Sequence, residues 1–488
     1  MSAPIKPAAV HLDVRGLSIG APGTHLVRDV SLRIAAGGSL TLLGESGSGK
    51  SLLAQAIMGN LPAPLTCSGA IEIGDHRSTA ADTAARRALW GRGLALLPQE
   101  PWLALDPTMR VARQIAEVHE LVAGLPGEAA SRAAQAGLAR LDMAGAGAKY
   151  PFQISGGMAQ RVAFLATHAA GAPVLLIDEP TKGLDSDRRG DILAMLRAAV
   201  ADGLTLLTIT HDVWLARELG GEVAVMLDGV IVEQGEAGEL LSAPRHPYTK
   251  RLLAAQPSAW AHPDGAAVRP SPSGDDRTAV VQIDSLSKRF GEHLLFEGVS
   301  ANIRRGEFVA VTGPSGAGKT TFGNIVLGLV QPDAGSIRRA PELARTAFQK
   351  IYQDPAAAFA PGVTLRQSMA DLIALHKLSW DSLRGLLERM RLHAGLLDRL
   401  PSQVSGGELQ RMALARVLML RPALIFADEP TSRLDPVTQQ QTLALLAEHA
   451  RDHQCAVLLV THDHDIAARL ASRRIVLGEP AGAGLSKS

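Results

Sequence analysis

Short apolar runs alternate along the chain with stretches whose apolar residues recur at helical spacing. Residues 39–43 precede 52–58, residues 173–177 precede 188–199, and residues 204–210 precede 213–218, so each pair predicts a strand followed by a helix. Strands and helices in alternation make an α/β fold, a mainly parallel sheet with helices on both faces. Ligands of such sheets gather beyond the carboxyl ends of the strands.

The pattern recurs in the same order in the second half of the 488 residues. Gly44-Glu-Ser46-Gly47-Ser-Gly49-Lys50-Ser51 is matched by Gly313-Pro-Ser315-Gly316-Ala-Gly318-Lys319-Thr320, and Ile154-Ser155-Gly156-Gly157 by Val404-Ser405-Gly406-Gly407. Ile177-Asp178-Glu179 is matched by Ala427-Asp428-Glu429, and Thr210-His211-Asp212 by Thr461-His462-Asp463. Ser155 stands 23 residues before Asp178 and Ser405 stands 23 before Asp428, while the steps from Asp to His are 33 and 34. Registers kept that closely mark an internal duplication.

One interval differs. Lys50 to Gln99 is 49 residues and Lys319 to Gln353 only 34, which predicts a smaller peripheral β-rich arm in the second copy. Residues 259–278 collect Pro, Gly, Asp and Ser without apolar periodicity, and the boundary between the copies falls near residue 275. The expected organisation is a first domain over 1–262, a linker over 263–278, a second domain over 279–478 and a flexible tail over 479–488.

A glycine-rich loop between a buried strand and a helix turns successive N–H groups toward one point, and the helix N-terminus adds partial positive charge. Gly44, Ser46, Gly47 and Gly49 would form such a phosphate cradle in the first copy, and Gly313, Ser315, Gly316 and Gly318 in the second. Lys50 and Lys319 can reach the β- and γ-phosphates; the hydroxyls of Ser51 and of Thr320, with Thr321 beside it, start the helices, and Ser51 and Thr320 can ligate Mg²⁺. The apolar strands before Asp178-Glu179 and Asp428-Glu429 run straight into paired carboxylates. Asp178 and Asp428 suit the metal, Glu179 and Glu429 the polarising of an attacking water. His211 and His462 fit a contact to the γ-phosphate and that water. Gln99 and Gln353 follow hydrophobic runs and can reach the metal or the water.

Composition narrows the partners. With 46% hydrophobic and 20% charged residues the chain is an ordinary globular protein. Lys plus Arg is 49 against 48 for Asp plus Glu, a net +1, and aromatics are 3%, so neither a basic surface nor stacking platforms for nucleic acid are expected. Cys67 and Cys455 are too few for an iron-sulfur cluster and read as inert reduced thiols. No apolar run approaches the roughly 18 residues of a membrane span, and prolines interrupt the first ten residues, so a cytosolic-facing protein is expected whose membrane work requires partners.

Ser-Gly-Gly at a helix start offers a hydroxyl and bare N–H groups to an anion. Residues 154–161 and 404–411, read with the glycine loops, the glutamines, the acidic pairs and the histidines, resemble ATP-binding cassette (ABC) ATPases over nearly all of both halves. The resemblance implies tandem P-loop NTPase domains, each with a β-rich arm and a helical subdomain, binding ATP and Mg²⁺. It further implies that two ATPs are sandwiched between the halves of one chain. Ser155, Gly156 and Gly157 would serve the nucleotide of Lys319, and Ser405, Gly406 and Gly407 that of Lys50. Met158 and Glu408 replace the family's usual Gln, which is expected only to tune the site. Phe290 looks like the family's adenine-stacking aromatic, whereas the corresponding stretch of the first copy, 17–21, has none. Both Glu179 and Glu429 being present, both sites are expected to hydrolyse ATP.

The stretch Pro98-Gln99-Glu100-Pro101-Trp102-Leu103-Ala104-Leu105-Asp106-Pro107 and its counterpart from Gln353 to Pro361 look like the loop of oligopeptide, dipeptide and nickel importers. Pro244-Arg245-His246-Pro247-Tyr248-Thr249-Lys250-Arg251-Leu252-Leu253 is similar to a segment that the same subfamily carries after its first module. The likeness implies the ATPase of an uptake system for peptides or similar small solutes such as nickel chelates. Two transmembrane permease subunits and a solute-binding protein would be its partners, at the cytoplasmic face of the plasma membrane. The rival is a soluble twin-cassette ATPase acting on ribosomes or nucleic acid; a long charged helical linker and a basic surface, usual in such proteins, are absent from this sequence.

Overall fold

The computed structural model describes residues 10–182, 184, 186–260, 279–314, 316–432 and 434–478. The expected linker and tail, and Ser315 of the second loop, lie outside the described residues. The chain forms two compact units, Met1–Leu253 and Ala254–Ser488.

The first unit carries β1 (Val10–Ala21), β2 (Thr24–Ala35), β3 (Ser39–Gly44), β4 (Thr66–Ile73), β5 (His76–Thr79), β6 (Leu94–Leu97), β7 (Val174–Asp178), β8 (Thr205–Thr210), β9 (Glu222–Leu227) and β10 (Val230–Glu236). Four of them make an antiparallel arm in the order β2-β1-β4-β5. The other six form the central sheet, β10-β9-β3-β8-β7-β6, parallel except where β10 pairs with β9. Every residue of β8 is buried, as expected of a strand covered on both faces.

The second unit repeats the plan with β11 (Ala279–Phe290), β12 (His293–Arg304), β13 (Phe308–Thr312), β14 (Ala334–Arg339), β15 (Phe348–Ile351), β16 (Leu424–Asp428), β17 (Ala456–Val460) and β18 (Arg473–Val476). Its arm is β12-β11-β14 and its parallel sheet β15-β16-β17-β13-β18. The shorter interval between Lys319 and Gln353 is explained: among the described residues the second arm has no equivalent of β5 or of the helix Thr83–Arg87 that follows it in the first. In both units a helical insert separates the glutamine from the acidic strand. In the first it contains Val111–Leu121 and Gly127–Arg140, which pack through Val111, Ile115, Ala134 and Leu138.

Packing beneath the two loops is complementary between copies. Gly323, in the helix Lys319–Leu327, lies against the Phe426 ring so closely that a Cβ there would sit 2.0 Å from Cζ. The same places in the first copy hold Ala54 and Leu176. Gly323→Ala is expected to destabilise the second unit by about 1–3 kcal/mol through overpacking, and adding Phe426→Leu to restore most of the loss in thermal melts.

The first domain was expected to extend to residue 262, whereas the division between the two units falls between Leu253 and Ala254. Trp260 packs on the core of the second unit and Arg469 donates to the Ser258 carbonyl at 3.2 Å, because 257–260 still carries apolar surface to bury.

His449, in the helix Pro436–Asp452, stacks on the His453 ring at 4.2 Å, and its buried Nε2 has no hydrogen-bond partner. Burial, with His453, Arg389 and Arg421 adding and Asp452 opposing, lowers it from 6.5 to about 4. The unfolded chain therefore takes this proton first, so the contribution to stability is complete above about pH 6.5 and lost as the pH falls toward 4. Up to about 3 kcal/mol is at stake. Melting curves of His449→Leu are expected to fall off less between pH 7 and pH 5 than those of the parent.

Burial holds both thiols protonated, pushing Cys455 up to about 12 and Cys67 above its ordinary value. Among the described residues no helix is long and apolar enough to cross a membrane.

Candidate nucleotide-binding sites

Each glycine loop joins a buried strand, β3 or β13, to a helix, Lys50–Met58 or Lys319–Leu327. The helices are capped by Gly49 and Gly318 at φ 101° and 85°, with no side chain on the first N–H groups. A Cβ on Gly49 would also lie 2.9 Å from Val27, so the backbone conformation and the close approach of the arm both demand glycine. These bare N–H groups at a helix start are what an anion requires. Lys50 lies at the centre of its loop, donating to the carbonyls of Gly44 at 2.8 Å and Glu45 at 2.7 Å; Lys319 donates to those of Gly313 at 2.8 Å and Pro314 at 2.9 Å.

The acidic pairs stand at the ends of β7 and β16, beside these helix starts. Asp178 Oδ1 is buried without a hydrogen-bond partner. Burial pushes the Asp178 carboxyl up, against the pull of the Ser51 hydroxyl. In the second copy Thr320 donates to Asp428 Oδ1 at 3.2 Å, and burial again raises the carboxyl against that hydroxyl. The Ser51 hydroxyl and the Asp178 carboxylate with its unpartnered oxygen, and Thr320 with Asp428 in the second copy, are hard oxygen donors that fit Mg²⁺.

Glu179 and Glu429 occupy left-handed backbone at φ 52° and 47°, a conformation unusual for glutamate and unreadable from local propensity. It is held by their own N–H groups, which cross to Ile209 O at 2.8 Å and Val460 O at 3.1 Å. The turn aims each carboxylate at the histidine beyond the next strand. His211 Nδ1 lies 2.8 Å from Glu179 Oε1, and His462 Nε2 lies 2.9 Å from Glu429 Oε1. Burial opposes charge on both members of the first pair, but their mutual attraction and hydrogen bond outweigh it, lowering Glu179 and raising His211.

The surroundings of the two glutamates differ. Thr210 donates to Glu179 at 3.1 Å, a contact that the repeat Thr210/Thr461 hints at only in retrospect. Gln353 donates to Glu429 at 3.0 Å, whereas Gln99 is exposed and makes no hydrogen bond to Glu179 among the described residues. Lys350 was missed in the sequence: its ammonium lies 3.8 Å from Asp428 Oδ2 and donates to Asn324 at 2.9 Å. A charged residue within β15, where the apolar strand β6 of the first copy has Leu96, was the available signal.

Ser155 and Ser405 are N-caps of the helices Gly156–His168 and Gly406–Leu418, so Gly156, Gly157, Gly406 and Gly407 do present the first N–H groups of helices. Glu408 adds a contact of its own at this end. Its carboxylate accepts from Ser405 N at 2.9 Å and from Ser405 Oγ at 2.7 Å, closing a capping box that Met158 cannot form. Phe290, at the end of β11 opposite His293, is 58% exposed with the Lys288 ammonium 5.3 Å from its ring centroid; Ala21 holds the matching place opposite Thr24.

Residues 27–182 and 296–432 match the ABC transporter family. The chain is 33% identical over 503 residues to the uncharacterized ABC transporter ATP-binding protein YejF of Escherichia coli (strain K12), covering 96% of this chain and 93% of that one. It is 32% identical over 526 residues to the glutathione import ATP-binding protein GsiA of Salmonella typhi, covering 96% of this chain and 84% of that one. A solved structure titled RNase-L Inhibitor shares the fold at 20% identity, with a TM-score of 0.63 over 95% of this chain and 88% of that one.

Proposed function

The chain belongs to the ABC transporter family as a tandem ATP-binding protein, and from that membership we propose that it energises an importer of peptides or similar small solutes, nickel chelates included. It is an ATPase that binds ATP. The observation that carries the import reading is end-to-end likeness: a relative named for glutathione import, a peptide-like solute, aligns with 96% of this chain, both copies included.

In this reading the N–H groups of the two glycine loops and the ammonium groups of Lys50 and Lys319 bind the phosphates of ATP. Mg²⁺, held by Ser51, Asp178 and Gln99 in one copy and by Thr320, Asp428 and Gln353 in the other, would neutralise charge developing on the transferred phosphoryl group. Glu179 and Glu429 orient the attacking water and draw its proton, and His211 and His462 fix the glutamates while facing the γ-phosphate. Residues 155–157 and 405–407 add helix N-termini as further phosphate contacts. Phe290 stacks on adenine in the second copy; Ala21 offers no such surface in the first.

The partners proposed are two membrane permease subunits and a solute-binding protein, with the ATPase peripheral at the cytoplasmic face. A mild-detergent pull-down of the tagged full chain carrying Glu179→Gln and Glu429→Gln, read by mass spectrometry, tests this. Permease subunits are expected to copurify. Ribosomal proteins without any membrane partner would replace import by the soluble rival.

A further inference from the structure

The segment containing His246, Pro247, Tyr248 and Thr249 forms a helix, Pro247–Ala254, whose start is fastened to the edge strand of the first unit. Glu233 of β10 accepts from the N–H groups of Arg245 at 2.7 Å and His246 at 3.1 Å, and His246 Nδ1 accepts from Tyr248 N at 3.2 Å. Tyr248 is 3% exposed and Leu252 fully buried. These contacts fix where the helix begins and send the Tyr248 ring inward, to the phosphate-binding loop.

There the Tyr248 hydroxyl accepts from the N–H of Glu45 at 2.9 Å. That N–H belongs to the peptide unit linking Gly44 to Glu45, whose carbonyl, on Gly44, accepts from the Lys50 ammonium at 2.8 Å. One rigid peptide plane thus joins Tyr248 on one side to Lys50 on the other. Arg251, one turn along the helix, lies 5.3 Å from the Tyr248 ring centroid and reaches Glu45 Oε1 at 3.5 Å, closing a clasp of three residues around that peptide. The second loop has Pro314 where the first has Glu45. Proline has no N–H to donate, and its ring fixes φ covalently. The loop held by a tyrosine in one copy is held by a pyrrolidine ring in the other.

We propose that Tyr248 is a positioning residue of the first nucleotide site: its hydroxyl sets the peptide that places Lys50, so the Pro247–Ala254 helix governs nucleotide affinity at the first loop and not at the second. The proposal rests on nucleotide binding by both loops and is independent of which solute is moved.

The test is calorimetric titration of the full chain with ADP and Mg²⁺, in a Lys319→Ala background to report the first site and a Lys50→Ala background to report the second. Tyr248→Phe keeps the ring and its stacking on Arg251 and removes only the hydroxyl. It is expected to weaken ADP binding about 3- to 10-fold at the first site, as for the loss of one hydrogen bond, and less than 2-fold at the second. Unchanged affinity at the first site, or equal weakening at both, would overturn the proposal. A further comparison separates positioning from general loosening of the fold. In a chain carrying Glu45→Pro, which imitates the second loop and removes the donor, adding Tyr248→Phe is expected to have less than a 2-fold effect. A persisting 3- to 10-fold effect there would show that the hydroxyl acts elsewhere. Absence of ADP binding in the parent chain would count against nucleotide binding itself, a different failure from either of these.

Discussion

ATP hydrolysis is expected to fall about 10²- to 10⁴-fold when Glu179 and Glu429 are both replaced by Gln, with ATP binding retained. Glutamine keeps the length of the side chain and its capacity to accept from Thr210 or Gln353, but not the charge that orients and deprotonates water. It tolerates the left-handed backbone at these positions no worse than glutamate, so loss of turnover without loss of folding is the specific outcome. Phosphate release and equilibrium ATP binding, measured on the same preparations, check it. Each single variant is expected to retain measurable turnover, since both copies pair the glutamate with a histidine. Turnover surviving Glu179→Gln but vanishing with Glu429→Gln would show that only the second site hydrolyses. Undiminished hydrolysis in the double variant would remove both glutamates from the chemistry.

What was legible in the sequence follows from how local each cause is. The strands and helices around the loops are visible because apolar runs of five or six residues and helical periodicity report burial directly, and the residues of the loops and acidic pairs are visible because their spacing recurs. The missing strand of the second arm was legible as a shortened interval. Contacts made across the sheet were not. The φ of Glu179 depends on its N–H reaching Ile209, and the clasp of Tyr248 on Glu45 joins residues about two hundred positions apart. Nor does a motif's reach follow from its spelling. Gln353 meets Glu429 while Gln99 does not meet Glu179, although both glutamines follow the same kind of strand. Glu408, which replaces the family's usual Gln and was expected only to tune the site, closes a capping box because it stands three residues after Ser405.

Neutralising Asp178 and Asp428 is expected to have opposite effects on stability. Asp178 is half-buried with its Oδ1 buried and unpartnered, and although Lys50 and Lys182 attract it, Leu96 stands where the second copy places Lys350 and burial outweighs them. Removing its charge relieves desolvation, so Asp178→Asn is expected to leave the nucleotide-free chain as stable as the parent or more so. Asp428 faces Lys350, whose side chain is only 11% exposed. Asp428→Asn leaves that ammonium buried against Asn324, Tyr352 and Phe426 without its carboxylate. Breaking a buried pair from one side costs several kcal/mol when contact is close; at 3.8 Å, with Asn324 still bonded, about 1–3 kcal/mol is expected. Thermal melts without nucleotide or metal separate the two variants, and Asp428→Asn combined with Lys350→Leu, the residue of the first copy at that place, is expected to recover most of the loss. Both single aspartate variants are expected to lose metal-dependent hydrolysis at their own site, so catalysis suffers alike where stability diverges. Equal melting temperatures for the two would show that Lys350 does not depend on Asp428, and that its hydrogen bond to Asn324 and the rings of Tyr352 and Phe426 hold the charge instead.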